Sequence, residues 1–378
     1  MLFPRLIHSL YLHFPYCRHL CNYCDFFKSR VDEKGHSLDP FHHWLEKSWD
    51  RHEALLREHH FSMGELKSLY FGGGTPSLWG REGALFFDRF LKEKRIILAP
   101  SMEWTMELNP GSWEEGPLSS WIDLGVNRFS VGVQSLRDRF LKVLDRIHNK
   151  KEALKTLAFL QKRKINYSVD FMIGLPFSEK FNRQITEELD EIFEYAPSHL
   201  SLYILTVPEQ YIHFRDLPSD EFIRDEYLKV YDYLQSKGMV HYEVSNYAFP
   251  GKESFHNLEY WSMASVAALG PSATGLIVKD HETALRYKWK TRRVDFALEP
   301  LDAAQIKLER LYMQMRTNRP IRAGHFFHGK DLRSWEKLAQ KWKKQGHLLS
   351  TSPFCIGPRG HIMLDAMMDD VFSAISGI

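Results

Sequence analysis

Cysteine is scarce in this chain: there are four in 378 residues, too few for a disulfide scaffold. Charge of one sign is missing too. Fifty Lys and Arg against forty-eight Asp and Glu leave a net charge of +2, so nothing draws the whole molecule to nucleic acid. No stretch approaches the roughly 18 consecutive apolar residues of a membrane helix, so no integral membrane segment is expected. Internal repeats and low-complexity tracts are absent, and no small-residue cleavage site precedes the first cysteines. Together these absences predict a cytoplasmic globular protein, long enough for one large α/β domain and a smaller one.

The few cysteines are unevenly placed. Cys17, Cys21 and Cys24 fall within eight residues in the spacing C-x3-C-x2-C, while Cys355 is more than three hundred residues away. Three thiolates do not complete a tetrahedral structural zinc site, which takes four ligands, nor an ordinary four-cysteine iron–sulfur site. His19 lies inside the loop and offers a fourth ligand, which keeps a structural zinc-binding protein open as one reading. The other is a [4Fe-4S] cluster with three irons held by protein and the fourth open to a ligand.

Strand-type and helix-type segments alternate over the first two-thirds. Strands are expected at 9–14, 68–71, 103–108, 128–133, 167–173 and 200–205, and helices near 40–59, 81–94, 113–124, 150–164, 179–195 and 221–237. Such alternation implies a parallel sheet with right-handed crossovers. About six units fit, fewer than the eight of a closed barrel, so an open, partial (β/α)6 barrel is predicted. From about residue 301 the chain is basic and helix-rich, with Trp335, Leu338 and Trp342 on one stripe. The expected units are a barrel with its cluster loop at 1–245, a connector at 246–295 and a small helix-rich C-terminal domain at 296–378.

Ligands of open α/β sheets sit at the carboxyl ends of strands. Gly72, Gly73 and Gly74 end one strand without side chains, so backbone can approach a ligand there. No Gly-Lys-Ser/Thr follows, which excludes a P-loop. Glu107 closes the next strand, Gln134 the one after, and Asp170 lies inside an apolar strand where a bare charge would be costly.

C-x3-C-x2-C with an aromatic-sided loop resembles the signature of the radical S-adenosylmethionine superfamily. Nearly the whole chain is similar to the branch related to oxygen-independent coproporphyrinogen III oxidase. The carrying stretches are Tyr11 to Cys17, Gly72-Gly73-Gly74-Thr75-Pro76-Ser77, Glu107-Leu108-Asn109-Pro110, Asn127 to Ser135, Leu144 to His148, Asp170 to Pro176 and His256 to Trp261. The resemblance implies that Cys17, Cys21 and Cys24 hold a [4Fe-4S] cluster whose open iron takes S-adenosylmethionine. It also implies that Tyr11, Tyr23, Gly73, Gly74, Thr75, Glu107, Gln134, Arg146 and Asp170 surround that cofactor. By residue type alone, Arg146 reads as a solvated helix-face arginine.

Within that branch, the porphyrinogen dehydrogenases carry a further cysteine two residues after the third and a longer N-terminus. Here that position is Phe26. Both departures, with His256-Asn257-Leu258-Glu259-Tyr260-Trp261, make the chain similar to the HemW-type heme chaperones. The resemblance then implies heme, apo-hemoprotein acceptors and an electron donor such as a flavodoxin or ferredoxin. The dehydrogenation of coproporphyrinogen III is the alternative activity. An imidazole suits heme iron, so His256 with Asn257, Tyr260 and Trp261 is the expected heme site, and His241 and Cys355 are possible second ligands. From residue type alone, His256 reads as a hydrogen-bonded core histidine. The chain also departs from the family's pattern at Phe177, where glycine is usual after Gly174-Leu175-Pro176, in the Gly270 to Gly275 stretch, and at Trp289.

Overall fold

The computed structural model describes residues 4–31 and 38–375, so the extreme ends of the two outer units lie outside the described residues. Six parallel strands form the body: β1 (Arg5–Phe14), β2 (Phe61–Gly73), β3 (Leu98–Leu108), β4 (Arg128–Gln134), β5 (Asn166–Ile173) and β6 (His199–Ile204). The connections between them carry α1 (Asp39–Glu58), α2 (Gly80–Glu93), α3 (Glu115–Leu124), α4 (Asp138–Val143), α5 (Lys150–Lys162) and α6 (Ile185–Phe193). Helix α6 starts six residues later than expected because Phe177 and Asn182 hold positive φ, which a helix does not admit.

Side-chain alternation decides which face meets the helices. Leu10, Leu12, Leu69, Phe71, Trp104, Met106, Phe129, Val131, Val169 and Phe171 point outward and are fully buried under the helix layer. The opposite, inner face is polar throughout: Ser9 and Tyr11, Ser68 and Tyr70, Thr105 and Glu107, Arg128 and Ser130, Ser168 and Asp170, Ser201 and Tyr203. A sheet apolar outside and polar inside curls around a polar, largely buried interior.

The sheet runs past the six expected strands. After α7 (Asp220–Ser236), strands β7 (Val240–Glu243) and β8 (Asn246–Ala248) extend it antiparallel beyond β6. Then α8 (Phe255–Trp261) leads to β9 (Ala267–Leu269), which pairs parallel with β1 at the other edge. The nine strands therefore run β9-β1-β2-β3-β4-β5-β6-β8-β7 and stay open. The 246–295 stretch, expected as a connector, supplies the edge strand β9 and the strand β8 as well as β10 (Thr274–Val278) and β11 (Ala284–Trp289), which with β12 (Phe296–Leu301) form a three-stranded antiparallel sheet. Its apolar strands bury side chains on the barrel, which a linker would leave exposed.

The C-terminal region is helix-rich, with α9 (Ala303–Met315), α10 (Gly329–Lys344), a hairpin of β13 (Leu348–Thr351) and β14 (Phe354–Ile356), α11 (Pro358–Ile362) and α12 (Leu364–Ala374). It has its own core of Leu311, Met315, Phe327, Trp335, Trp342 and Phe354 among others. Among the described residues, no helix is long and apolar enough to cross a membrane.

Candidate functional site

At the carboxyl ends of the strands a cavity of about 290 Å³ is lined by Cys17, Cys21, Cys24, Tyr23, Gly73, Gly74, Thr75, Glu107, Gln134, Arg146 and Asp170. Eleven of the residues named for the cluster and its cofactor thus converge from six separate segments. Tyr11 does not join them. It lies one layer below, stacked on Tyr70, with its hydroxyl donating to His13 Nδ1 at 3.1 Å while His13 Nε2 donates to the Phe27 carbonyl at 2.8 Å. That pair of bonds ties the strand to the cysteine loop.

The cysteine loop follows β1 directly, and its neighbours address the sulfurs. Thr75 Oγ1 donates to Cys17 Sγ at 3.6 Å, and Arg146 to Cys21 Sγ at 3.9 Å. Arg146 is far from a solvated helix-face arginine. Its guanidinium also donates to Gly132 O (2.8 Å), Asn109 Oδ1 (3.1 Å) and Tyr23 Oη (3.4 Å), and the Leu144–Asp145 turn with Asp145 at positive φ aims it inward. Burial pushes the Cys17 and Cys21 thiols above their ordinary value, with Arg146 opposing at Cys21. Loading a metal must displace those protons.

The three sulfurs are not gathered tightly enough for a single ion. One tetrahedral zinc at about 2.3 Å from sulfur needs its sulfurs about 3.8 Å apart. Among the described residues the three sulfurs do not close to within 4.8 Å of one another. His19 Nε2 faces Asp145 at 2.8 Å instead of completing a set of four.

Two glycines are required where the cofactor would lie. Gly73 has φ +111°, and a Cβ there would meet the His13 ring at 2.6 Å. At Gly74 it would meet the Tyr16 carbonyl oxygen at 2.5 Å. The Gly73 amide donates to Glu107 Oε2 at 3.0 Å and Tyr70 to Glu107 Oε1 at 3.1 Å. Asp170 accepts from Ser130 Oγ at 2.8 Å, and Gln134 is held at φ +65° at the end of β4. Asn109, Ser130 and Tyr203 also line the cavity and were not anticipated. The signal for Ser130 and Tyr203 was their place on the inner-face alternation.

Burial, then the nearby Asp170 charge, pushes Glu107 from 4.5 up to about 8. A carboxyl raised on folding binds a proton that the unfolded chain has released. Its contribution is fully present below pH 4.5 and is lost as pH rises through about 8. Without added ligand, thermal stability should fall between pH 5 and 8, on the order of a few kcal/mol. Glu107→Gln should flatten that slope in thermal melts; an unchanged slope would place the titration elsewhere.

His256, the expected heme-facing imidazole, is placed outside the cavity lining and away from solvent. It is 1% exposed, because α8 turns the ring into the barrel beneath the cavity. There Nδ1 sits 2.8 Å from Ser68 Oγ, the ring stacks on Tyr70 at 5.1 Å and Tyr260 meets it edge-on at 5.2 Å. Glu103 accepts from the Phe255 and His256 amides and holds the helix start. Trp261 lies under the Arg316 guanidinium at 4.8 Å, and the Asn257 amide caps onto Ser254. His256 Nε2 is buried and has no hydrogen-bond partner among the described residues. His241, stacked on Tyr247, and Cys355, in the C-terminal hairpin, sit on other elements and do not join it.

Comparison with known proteins agrees with this layout. Residues 11–181 match the model of the radical SAM superfamily. The chain is 33% identical over 285 residues to the heme chaperone HemW of Buchnera aphidicola from Schizaphis graminum, covering 74% of this chain and 72% of that one. It is 34% identical over 275 residues to HemW of Escherichia coli, covering 71% and 70%. Among solved structures, the coproporphyrinogen III oxidase HemN of E. coli, a radical SAM enzyme, superposes with a TM-score of 0.78 at 19% identity. That match spans 97% of this chain and 90% of the other.

Proposed function

This chain belongs to the HemW heme-chaperone family of the radical SAM superfamily, and on that premise we propose that it binds heme and passes it to apo-hemoprotein acceptors. The reading includes a [4Fe-4S] cluster on Cys17, Cys21 and Cys24 and S-adenosylmethionine in the cavity beside it. The observation that carries the cofactor part is the gathering of three thiols and two buried carboxyls around one cavity at the strand ends. When bound, cluster and cofactor supply one-electron chemistry at the sulfonium, with electrons from a flavodoxin or ferredoxin in the cytoplasm.

Each lining residue has a job in this reading. The Gly73–Thr75 backbone receives the methionine end without side-chain obstruction. Glu107 accepts hydrogen bonds from ribose hydroxyls, for which it must give up its proton and the Tyr70 contact. Arg146 balances thiolate charge at Cys21 and keeps Tyr23 over the cavity. Asp170 and Gln134 hold the far side. Phe26, 69% exposed at the cavity rim, puts an apolar surface where the dehydrogenase branch has a thiol, and that favours holding a macrocycle over oxidising it.

Anaerobic reconstitution with iron and sulfide, followed by separate titrations with S-adenosylmethionine and ferric heme, tests the reading. The expected result is a cofactor-induced change in the reduced-cluster electron paramagnetic resonance spectrum, a Soret band on adding heme, and heme transfer to a heme-depleted globin. Absence of heme binding with and without cluster overturns the chaperone reading; turnover of coproporphyrinogen III would replace it.

A further inference from the structure

The loop after β6, Leu205 to Ser219, rests on the cavity's own wall: Val207 and Leu217 pack with Tyr23 of the cysteine loop against Leu144, Met172 and Leu175. Out of this loop projects His213. Its Nδ1 faces Asp216 Oδ2 at 3.4 Å, which selects the tautomer whose lone pair is on Nε2. Among the described residues that Nε2 has no hydrogen-bond partner, and it is not among the enclosed ring nitrogens, unlike His256 Nε2. A carboxylate behind one ring nitrogen with the other free is the arrangement by which proteins present histidine to a metal.

The surroundings of His213 narrow the choice of metal complex. Phe177 meets its ring edge-on at 5.5 Å, Phe181 extends that face, and the neighbouring Ile212 is 76% exposed, the most exposed large apolar side chain described. Phe177 stands where glycine was expected and holds φ +65°, a conformation unfavourable for an aromatic residue. The Phe177 amide donates to the Asp216 carbonyl at 2.7 Å, so the strained residue and the histidine's partner are fastened together. Around the apolar face stand Arg139 over Phe181, Lys180 over Phe177, and exposed Arg215. An aqueous metal ion has no use for exposed aromatics, and an apolar ligand has none for three cations. A planar iron porphyrin with two carboxylates uses the imidazole, the apolar surface and the cations together.

We propose that His213 is the axial heme ligand, on a docking face formed by Phe177, Phe181 and Ile212 with cations at its edge. This rests on the heme-chaperone reading and gives it a site. A shallow face with one ligand suits a protein that must release its heme, whereas the enclosed His256 offers neither entry nor exit.

Ferric heme is titrated into the full-length reconstituted protein, with heme-free protein as the optical reference, for wild type, His213→Ala, Phe177→Gly and His256→Ala. His213→Ala should weaken heme binding about tenfold or more and shift the Soret band, and added imidazole should restore the band. Phe177→Gly, which relieves the backbone, should melt no lower than wild type yet bind heme more weakly. His256→Ala chain that stays folded should keep the wild-type heme spectrum. His213→Ala with unchanged spectrum and affinity overturns this site while leaving the chaperone reading intact. Wild type that binds no heme overturns both.

Discussion

Serine in place of Cys17, Cys21 or Cys24 is expected to lower iron from about four per reconstituted chain to below one, with loss of the cluster's broad absorbance. A serine hydroxyl stays protonated near neutral pH and does not replace a thiolate toward iron. Only two protein ligands would remain, and nothing else in the cavity supplies a soft donor: Thr75 donates to Cys17, and Arg146 is cationic. Two controls separate this from a zinc site. Cys355→Ser should keep full iron, since Cys355 belongs to the C-terminal hairpin. His19→Ala should keep most of it, because the imidazole is engaged with Asp145. Metal analysis that finds one zinc per chain, lost in both Cys21→Ser and His19→Ala, would return the structural zinc protein as the correct reading.

The second large effect is on stability. Glu188 in α6 is fully buried and accepts from Ser135 Oγ (2.6 Å), Leu136 N (2.6 Å) and Arg183 Nε (2.7 Å). Arg183 also donates to the Met172 carbonyl and lies 3.6 Å from Glu226, another buried acid that accepts from the Gly174 amide. Glu188→Ala leaves buried Arg183 with only the longer Glu226 carboxylate contact, strands the Leu136 backbone donor away from water, and should cost about 3–5 kcal/mol. Chemical denaturation should show it as a lower midpoint. Arg183→Met combined with Glu188→Met should cost at least as much as Glu188→Ala alone, since it also takes the cation away from buried Glu226. Ser135 and Leu136 directly follow Gln134, so Glu188→Ala should also weaken S-adenosylmethionine binding. Unaltered stability would mean that the Glu188 contacts to Ser135, Leu136 and Arg183 do not persist in solution.

How far the sequence reached depended on whether the determining contacts were local. The cysteine triad was legible because its spacing is short and its residue types are chemically restrictive. The strands were legible because apolar residues alternate along each one, and the six parallel strands follow the predicted order. The edge strand Ala267–Leu269 was not, because three small apolar residues carry no period of their own; β1 makes them a strand. Residue type alone put Arg146 in solvent and His256 in the core, and only the histidine lies where residue type put it. A side chain's surroundings here come from segments far away in the chain: the Gly132 carbonyl, Asn109 and Tyr23 for the arginine, and Ser68 and Tyr70 for the histidine.

By itself the sequence determined a three-thiolate site at the start of an open α/β sheet, since short spacing and alternation are properties of the covalent chain. It also determined kinship with the heme chaperones. The tertiary structure alone decided that the inner face of the barrel is polar, that Arg146 reaches a thiol, and that α8 turns the His256 ring inward. It likewise decided that His213, unremarkable in sequence, stands beside a strained Phe177 with its Nε2 open. Solvent access to a histidine is set by how distant segments pack, which residue order does not record.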